Sequence, residues 1–149
     1  MKDVKLNING YKPCLGMMLD KETLKEYSFK KLGFIGKLLM NYNKKEKIYW
    51  VKNPLIICLD KFGLSPLEGS SAEIYGTSGY LFYSNNHLSK VFFQIIGNEK
   101  YSKSLARYFA TIVTENFGDP SLEGNEIKQW DLNDSIVTCE TTAFSNSNF

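Results

Sequence analysis

The sequence has one histidine, His87, one arginine, Arg107, and three widely separated cysteines, Cys14, Cys58 and Cys139. A single imidazole excludes histidine-rich zinc sites, and any Ser-His-Asp or Cys-His arrangement must run through His87. Three thiols without CxxC spacing make neither a disulfide framework nor a zinc knuckle, so reduced thiols are expected. One arginine argues against dedicated phosphate or base recognition, where the planar guanidinium fork is favoured. No apolar run approaches the roughly 18 to 20 residues of a membrane span. The opening MKDVKLNING also lacks the apolar core of a secretory signal, so a cytoplasmic address is the expectation.

What is present describes an ordinary globular chain: 149 residues, 43% hydrophobic and 23% charged. That length supports one real core, and a single α+β domain over residues 1–149 is expected. The net charge of +2 is unevenly placed. Residues 1–52 hold 12 lysines against 5 acids, a balance of +7, and residues 53–149 hold 6 basic residues against 11 acids, a balance of −5. The basic N-terminal third could draw a nucleic acid or an anionic membrane, or its lysine stems could lie across the acidic remainder.

The stretch VKLNI alternates Val4, Leu6 and Ile8 with polar residues and runs into Gly10, which predicts a half-buried strand and a turn. Asp20 suits the N-cap of a short helix through Tyr27. Phe34, Ile35, Leu38, Leu39 and Tyr42 recur at helical spacing among lysines and predict a second N-terminal helical piece. KIYWVK, residues 47–52, predicts a strand. In NPLIICLDKFG, Asn53 as N-cap, Pro54 at the first helical position and Gly63 as a left-handed stop favour a short helix over 54–62, although Ile56, Ile57 and Cys58 alone would also suit a strand.

From residue 72 to 97, AEIYGTSGYLFYSNNHLSKVFFQIIG predicts consecutive antiparallel strands with reversals at Gly76 to Gly79 and at Asn85-Asn86. Asn98 then caps a long helix from Glu99 to about Asn116, with Leu105, Tyr108, Phe109, Ile112, Val113 and Phe117 as its apolar stripe. A C-terminal hairpin about Asn133-Asp134 sets Leu132 opposite Ser135, Trp130 opposite Val137 and Lys128 opposite Cys139. Trp130, Leu132, Val137 and Cys139 then share the buried face. The fold expected is an antiparallel sheet of hairpins packed against one long helix and shorter N-terminal helices.

FGLSPLEG, residues 62–69, returns as FGDPSLEG, residues 117–124. Read as turns, both copies stop a helix at Gly63 or Gly118, bar its continuation with Pro66 or Pro120, and pin the loop with Leu67 or Leu122. The chain would then contain two helix-turn-hairpin units, around 53–84 and 98–142. Read as a site, the echo pairs Glu68 with Glu123 for acid-base work or a hard metal, without a supporting ligand pattern.

No cofactor or metal motif can be named, and His87 follows a turn in a segment expected to be exposed. Gly76-Thr-Ser-Gly79 lacks the Lys-Ser/Thr ending of a phosphate loop. The function expected is non-catalytic: a small cytoplasmic protein, immunity-like or adaptor-like, that binds or inhibits another macromolecule. Aromatic residues make up 14% of the chain. Tyr80 and Tyr83 on an open sheet face, or Lys100, Lys103 and Arg107 along the long helix, are the candidate contacts, and a protein partner is expected ahead of nucleic acid or membrane. The alternatives are an anionic partner on the basic N-terminal third and an enzyme with an unrecognised site.

Overall fold

The computed structural model describes residues 4–33, 35–36, 45–64 and 74–141. The described elements follow the order β1 (Leu6–Ile8), α1 (Lys21–Glu26), β2 (Lys30–Lys31), β3 (Lys47–Lys52), β4 (Ile56–Cys58), β5 (Phe62–Leu64), β6 (Ile74–Ser84), β7 (His87–Gly97), α2 (Glu99–Phe117), β8 (Leu122–Glu123), β9 (Ile127–Asp131) and β10 (Ile136–Glu140). The strands form three antiparallel sheets with spatial orders β1-β4-β5, β2-β3-β6-β7 and β10-β9-β8. The chain is thus α+β, with antiparallel sheets, one long helix and one short one among the described residues.

Local chemistry explains most of the boundaries. The Asp20 carboxylate accepts hydrogen bonds from the Thr23 amide at 3.2 Å and the Thr23 hydroxyl at 2.8 Å, which starts α1. These bonds hold its pKa below the ordinary value, the hydroxyl bond contributing most. Asn98 caps α2 by accepting from the Lys100 amide at 3.0 Å. Asn85 and Asn86 both take positive φ, 52° and 62°, and Ser84 pairs with His87, so β6 and β7 are joined by a two-residue hairpin loop. The predicted helical piece over 34–42 falls largely outside the described residues.

Two expectations are corrected. Residues 54–62 do not form a helix: Ile56–Cys58 pairs with Phe62–Leu64 as a hairpin, and the connecting Leu59 and Asp60 adopt φ of 57° and 55°. Strand pairing with β1, burial of Ile56 and Cys58, and the Leu59 amide donating to the Lys5 carbonyl at 2.7 Å override the capping signals. The 53–84 segment is therefore not a helix-turn-hairpin unit. Residues 76–79 are likewise not a reversal, because β6 runs unbroken from Ile74 to Ser84, with register shifts at Ile74/Gly76 and Phe82/Tyr83.

The sequence echo dissolves for the same reason. Phe62-Gly63 lies inside a strand, whereas Phe117-Gly118 ends a helix with Gly118 at φ 88°. Only the second copy is a left-handed stop. Its Leu122 is 53% exposed, so it does not pin the loop to the core. Residues 65–69 lie outside the described residues.

Two apolar clusters organise the interior. One gathers Ile56, Cys58, Leu59, Phe62 and Leu64 from the β4-β5 hairpin, Phe109, Ala110, Ile112 and Val113 from α2, and Trp130 from β9. Phe62 is the hinge of this cluster, with its ring 5.2 Å from Phe109 and 6.5 Å from Phe93. The other gathers Ile8, Tyr11, Leu24, Phe29, Tyr49, Val51, Leu81, Tyr83 and Leu88. The inner face of the four-stranded sheet contributes to both: Tyr49, Val51, Leu81 and Tyr83 to the second, Phe93 and Ile95 to the first.

The C-terminal hairpin has the register expected from its two-residue loop. Trp130 pairs with Val137 and Lys128 with Cys139, and the Leu132 amide donates to the Ser135 carbonyl at 2.8 Å. Trp130 is 1% exposed, and its Nε1–H donates to the Gly118 carbonyl at 3.0 Å, tying β9 to the end of α2. Trp130→Ala is expected to cost about 3–5 kcal/mol in urea unfolding. Ile136→Ala, on the opposite face at 63% exposure, is expected to stay within about 0.5 kcal/mol. An unchanged midpoint for Trp130→Ala would contradict this packing.

Candidate functional site

The outer face of the four-stranded sheet is built by register. Lys30 lies opposite Trp50, Trp50 opposite Tyr80, and Tyr80 opposite Phe92. Directly paired residues point to the same side of a sheet, so Lys30, Trp50, Tyr80 and Phe92 form one transverse row across all four strands. The neighbouring rows are Lys52, Ser78 and Gln94 on one side and Ile48, Phe82 and Lys90 on the other.

The rings of this face are in mutual contact. Tyr80 lies 5.7 Å from Phe92 and 6.5 Å from Phe82, centroid to centroid. The Lys90 ammonium sits 5.2 Å from the centre of the Phe82 ring and 5.5 Å from that of Phe92, a cation–π placement over both. Phe82 and Ile48 are buried, whereas Trp50, Tyr80 and Phe92 are half-buried and Lys30, Lys52 and Lys90 are exposed. The accessible part of the face therefore runs along the ring row and toward Lys52, Ser78 and Gln94.

Charge on this sheet has one sign. Strands β2, β3, β6 and β7 carry Lys30, Lys31, Lys47, Lys52 and Lys90 and no aspartate or glutamate. An apolar aromatic surface rimmed by ammonium groups attracts anions and offers flat faces for stacking. The row itself contains one ammonium group, an indole, a phenol and a phenyl ring.

The residues singled out in the sequence do not come together. Tyr80 lies in the row. Tyr83 does not, because strand alternation turns it inward: it is 1% exposed within the second cluster, its ring edge-on to Tyr49 at 5.9 Å. Its hydroxyl is buried without a well-formed hydrogen bond. Burial, and then the adjacent Tyr11 hydroxyl, push its pKa up. Tyr83 is thus a core residue and is corrected as a contact candidate. Lys100, Lys103 and Arg107 are exposed on α2, which packs by Phe109 against Phe93 on the sheet's inner side. They therefore lie across the sheet from the ring row. Lys103 is paired with Glu99 at 2.8 Å, which holds the Glu99 carboxyl below its ordinary value.

The remaining chemical candidates are scattered. His87 is exposed, with Nδ1 2.8 Å from the Asn85 carbonyl, and it bridges to Met18. Glu123 is paired with Lys128 at 3.3 Å, and Glu68 lies outside the described residues. Among the described residues no three His, Cys, Asp or Glu side chains group to hold a metal ion. No described helix is long and apolar enough to cross a membrane. No known protein family, curated protein or solved structure matches the chain.

Sequence reasoning missed Trp50, Phe92, Lys30, Lys52 and Lys90 as members of one surface. KIYWVK and SKVFFQ show the alternation, but only strand pairing aligns Trp50 with Tyr80 and Phe92.

The three thiols differ in a way that can be measured. Cys14 is exposed, burial pushes Cys58 up to about 11, and burial also raises Cys139, whose Sγ–H donates to the Ala106 carbonyl at 3.7 Å. At pH 8 a maleimide is expected to label Cys14 rapidly and the other two only with unfolding. Because the folded pKa of Cys58 exceeds the ordinary thiol value, its protonated form favours the native state. That contribution is intact below pH ~9 and is lost as pH rises through about 11. A thermal midpoint that is flat over this range, or no difference in slope for Cys58→Ala, would contradict the burial.

Proposed function

We propose that this chain is a small, non-catalytic cytoplasmic binding protein that holds another macromolecule on the outer face of its four-stranded sheet. The observation that carries this reading is the in-register row of Trp50, Tyr80 and Phe92, each keeping accessible surface and flanked by exposed Lys30, Lys52 and Lys90. Aromatic side chains that are half-buried by their own sheet lose little conformational entropy on binding, and each brings a large contact area. The inner face is committed to the two clusters and Ile48 and Phe82 are buried on the outer one, so the accessible surface of the sheet is the ring row with Lys52, Ser78 and Gln94 beside it.

The test uses tagged protein to capture macromolecules from lysate, comparing the wild type with a Trp50→Ser/Tyr80→Ser variant and a Lys100→Gln/Arg107→Gln variant. All three are first checked for the same circular dichroism and thermal midpoint. The sheet variant is expected to lose the captured species, and the helix variant to keep it. Retention by the sheet variant, or loss only with the helix variant, would overturn the assignment.

A further inference from the structure

The four-stranded sheet leaves one edge open, and we propose that a second copy of this chain closes it: two β7 strands pair antiparallel about a two-fold axis at Phe93 and join their sheets into one. The inference rests on the backbone of that edge and does not depend on the ring row.

Strand pairing fixes which way each backbone group of β7 points. The Thr77 carbonyl accepts from the Asn53 amide at 2.9 Å, on the β3 side, and the Phe82 carbonyl accepts from the Ser89 hydroxyl at 3.1 Å, on the β7 side. Successive residues of an inner strand bond to alternate neighbours, so Thr77, Gly79 and Leu81 bond toward β3, and Ser78, Tyr80 and Phe82 toward β7. Their partners Gln94, Phe92 and Lys90 are thereby occupied. The N–H and C=O groups of Val91, Phe93 and Ile95 point away from the sheet. Among the described residues no hydrogen bond is made to these groups, and residues 91–97 all keep accessible surface.

The other edges are blunted. The start of β7 is covered, because the Gly16 amide donates to the Leu88 carbonyl and the Leu88 amide to the Met17 carbonyl, each at 2.8 Å. At the far edge of the same sheet, β2 consists of two lysines. Strands β1, β5 and β8 have three residues or fewer, and β10 ends on Glu140. Short strands and charges are the devices that keep edges from pairing. VFFQI, residues 91–95, has no charge, proline or glycine and is rich in β-branched and aromatic residues.

The pairing that this edge allows identifies its occupant. An axis at Phe93 sets Val91 opposite the second copy's Ile95 and Phe93 opposite its own counterpart, so every open group of these residues finds a partner in one register. Cross-strand pairs on the inner side are then β-branched or aromatic, and on the outer side Phe92 meets Gln94 and Lys90 meets Ile96. Ile96, 36% exposed, gains cover from the lysine stem. The two Lys90 groups lie about 20 Å apart along the ladder, beyond the screening length of roughly 8 Å, so no like charges oppose each other. The second strand ends at its Gly97, opposite Ser89, one residue short of the stretch that Gly16 and Met17 cover.

Sedimentation of the full-length protein from low-micromolar to millimolar concentration is expected to pass from the 17.0 kDa chain to twice that mass. Residue-resolved hydrogen exchange reads the register. The Val91, Phe93 and Ile95 amides are expected to exchange freely in dilute protein and to slow about 10-fold or more at high concentration, whereas those of Phe92 and Gln94 are protected throughout. Ile96→Lys sets a like charge opposite Lys90 and is expected to weaken association about 5-fold, while Ile96→Glu at the same exposed site strengthens it by a similar factor. Ile95→Pro removes an outward N–H that β6 does not use and is expected to abolish association, with Ile95→Ala, which keeps that N–H, controlling for lost packing.

A chain that remains at 17.0 kDa up to millimolar concentration overturns the proposal. So does a dimer whose β7 amides exchange at the dilute rate, one protected at β10 instead, or one that responds alike to Ile96→Lys and Ile96→Glu.

Discussion

The hydrogen-bonded ladder that joins β3, β6 and β7 is the interaction on which the rest of the molecule depends. β6 is paired with β3 on one side and β7 on the other, so its alternation divides the residues of three strands between two environments. The inward set, Tyr49, Val51, Leu81, Tyr83, Phe93 and Ile95, supplies apolar surface to both clusters. The outward set aligns Trp50, Tyr80 and Phe92. A one-residue slip of β3 against β6 would exchange these sets, exposing Leu81's partner Tyr49 and burying Trp50 and Lys52. Burial of the inner face therefore fixes the composition of the outer one.

The other elements act as covers and clamps for that sheet. The β4-β5 hairpin and α2 close over Phe93 through Phe62 and Phe109, and β1, Tyr11, α1 and Phe29 close over Tyr49 and Tyr83. Trp130 reaches from β9 to the Gly118 carbonyl and fixes the third sheet to the end of α2. Both clusters lie on one side of the central sheet, while on the other side Ile48 and Phe82 are buried as well. The opposite side combines half-buried rings with lysines, which keeps an aromatic surface hydrated at its rim and positively charged.

Periodicity made much of this legible. α2 was readable because nineteen residues repeat one apolar stripe between an asparagine cap and a glycine stop, and the C-terminal hairpin because a two-residue loop determines which residues face each other. Residues 54–62 misled because Asn-Pro at one end and Phe-Gly at the other imitate helix caps, while the decisive features are non-local: pairing with β1 and a turn through Leu59 and Asp60 at positive φ. Leucine carries no signal for that conformation. The glycines at 76 and 79 misled in the other direction, since Gly79 is paired on both sides, with Val51 and Phe93, and Gly76 on one, with Ile96, within one unbroken strand. Tyr80 and Tyr83 differ by an odd number of residues and so face opposite ways, which left only Tyr80 on the surface. The row containing it was illegible because its members come from strands whose register no local pattern encodes.

The central claim, that the outer face is accessible and electropositive around its rings, can be measured without any ligand by collisional quenching of Trp50 in a Trp130→Phe background. Iodide and caesium are small quenchers of opposite charge, and nearby ammonium groups concentrate the anion and repel the cation. Iodide is expected to quench Trp50 well above caesium at low ionic strength, and the difference to shrink as inert salt is added. Emission resistant to both ions, or quenched better by caesium, would contradict the placement of an open, lysine-rimmed aromatic row on this sheet.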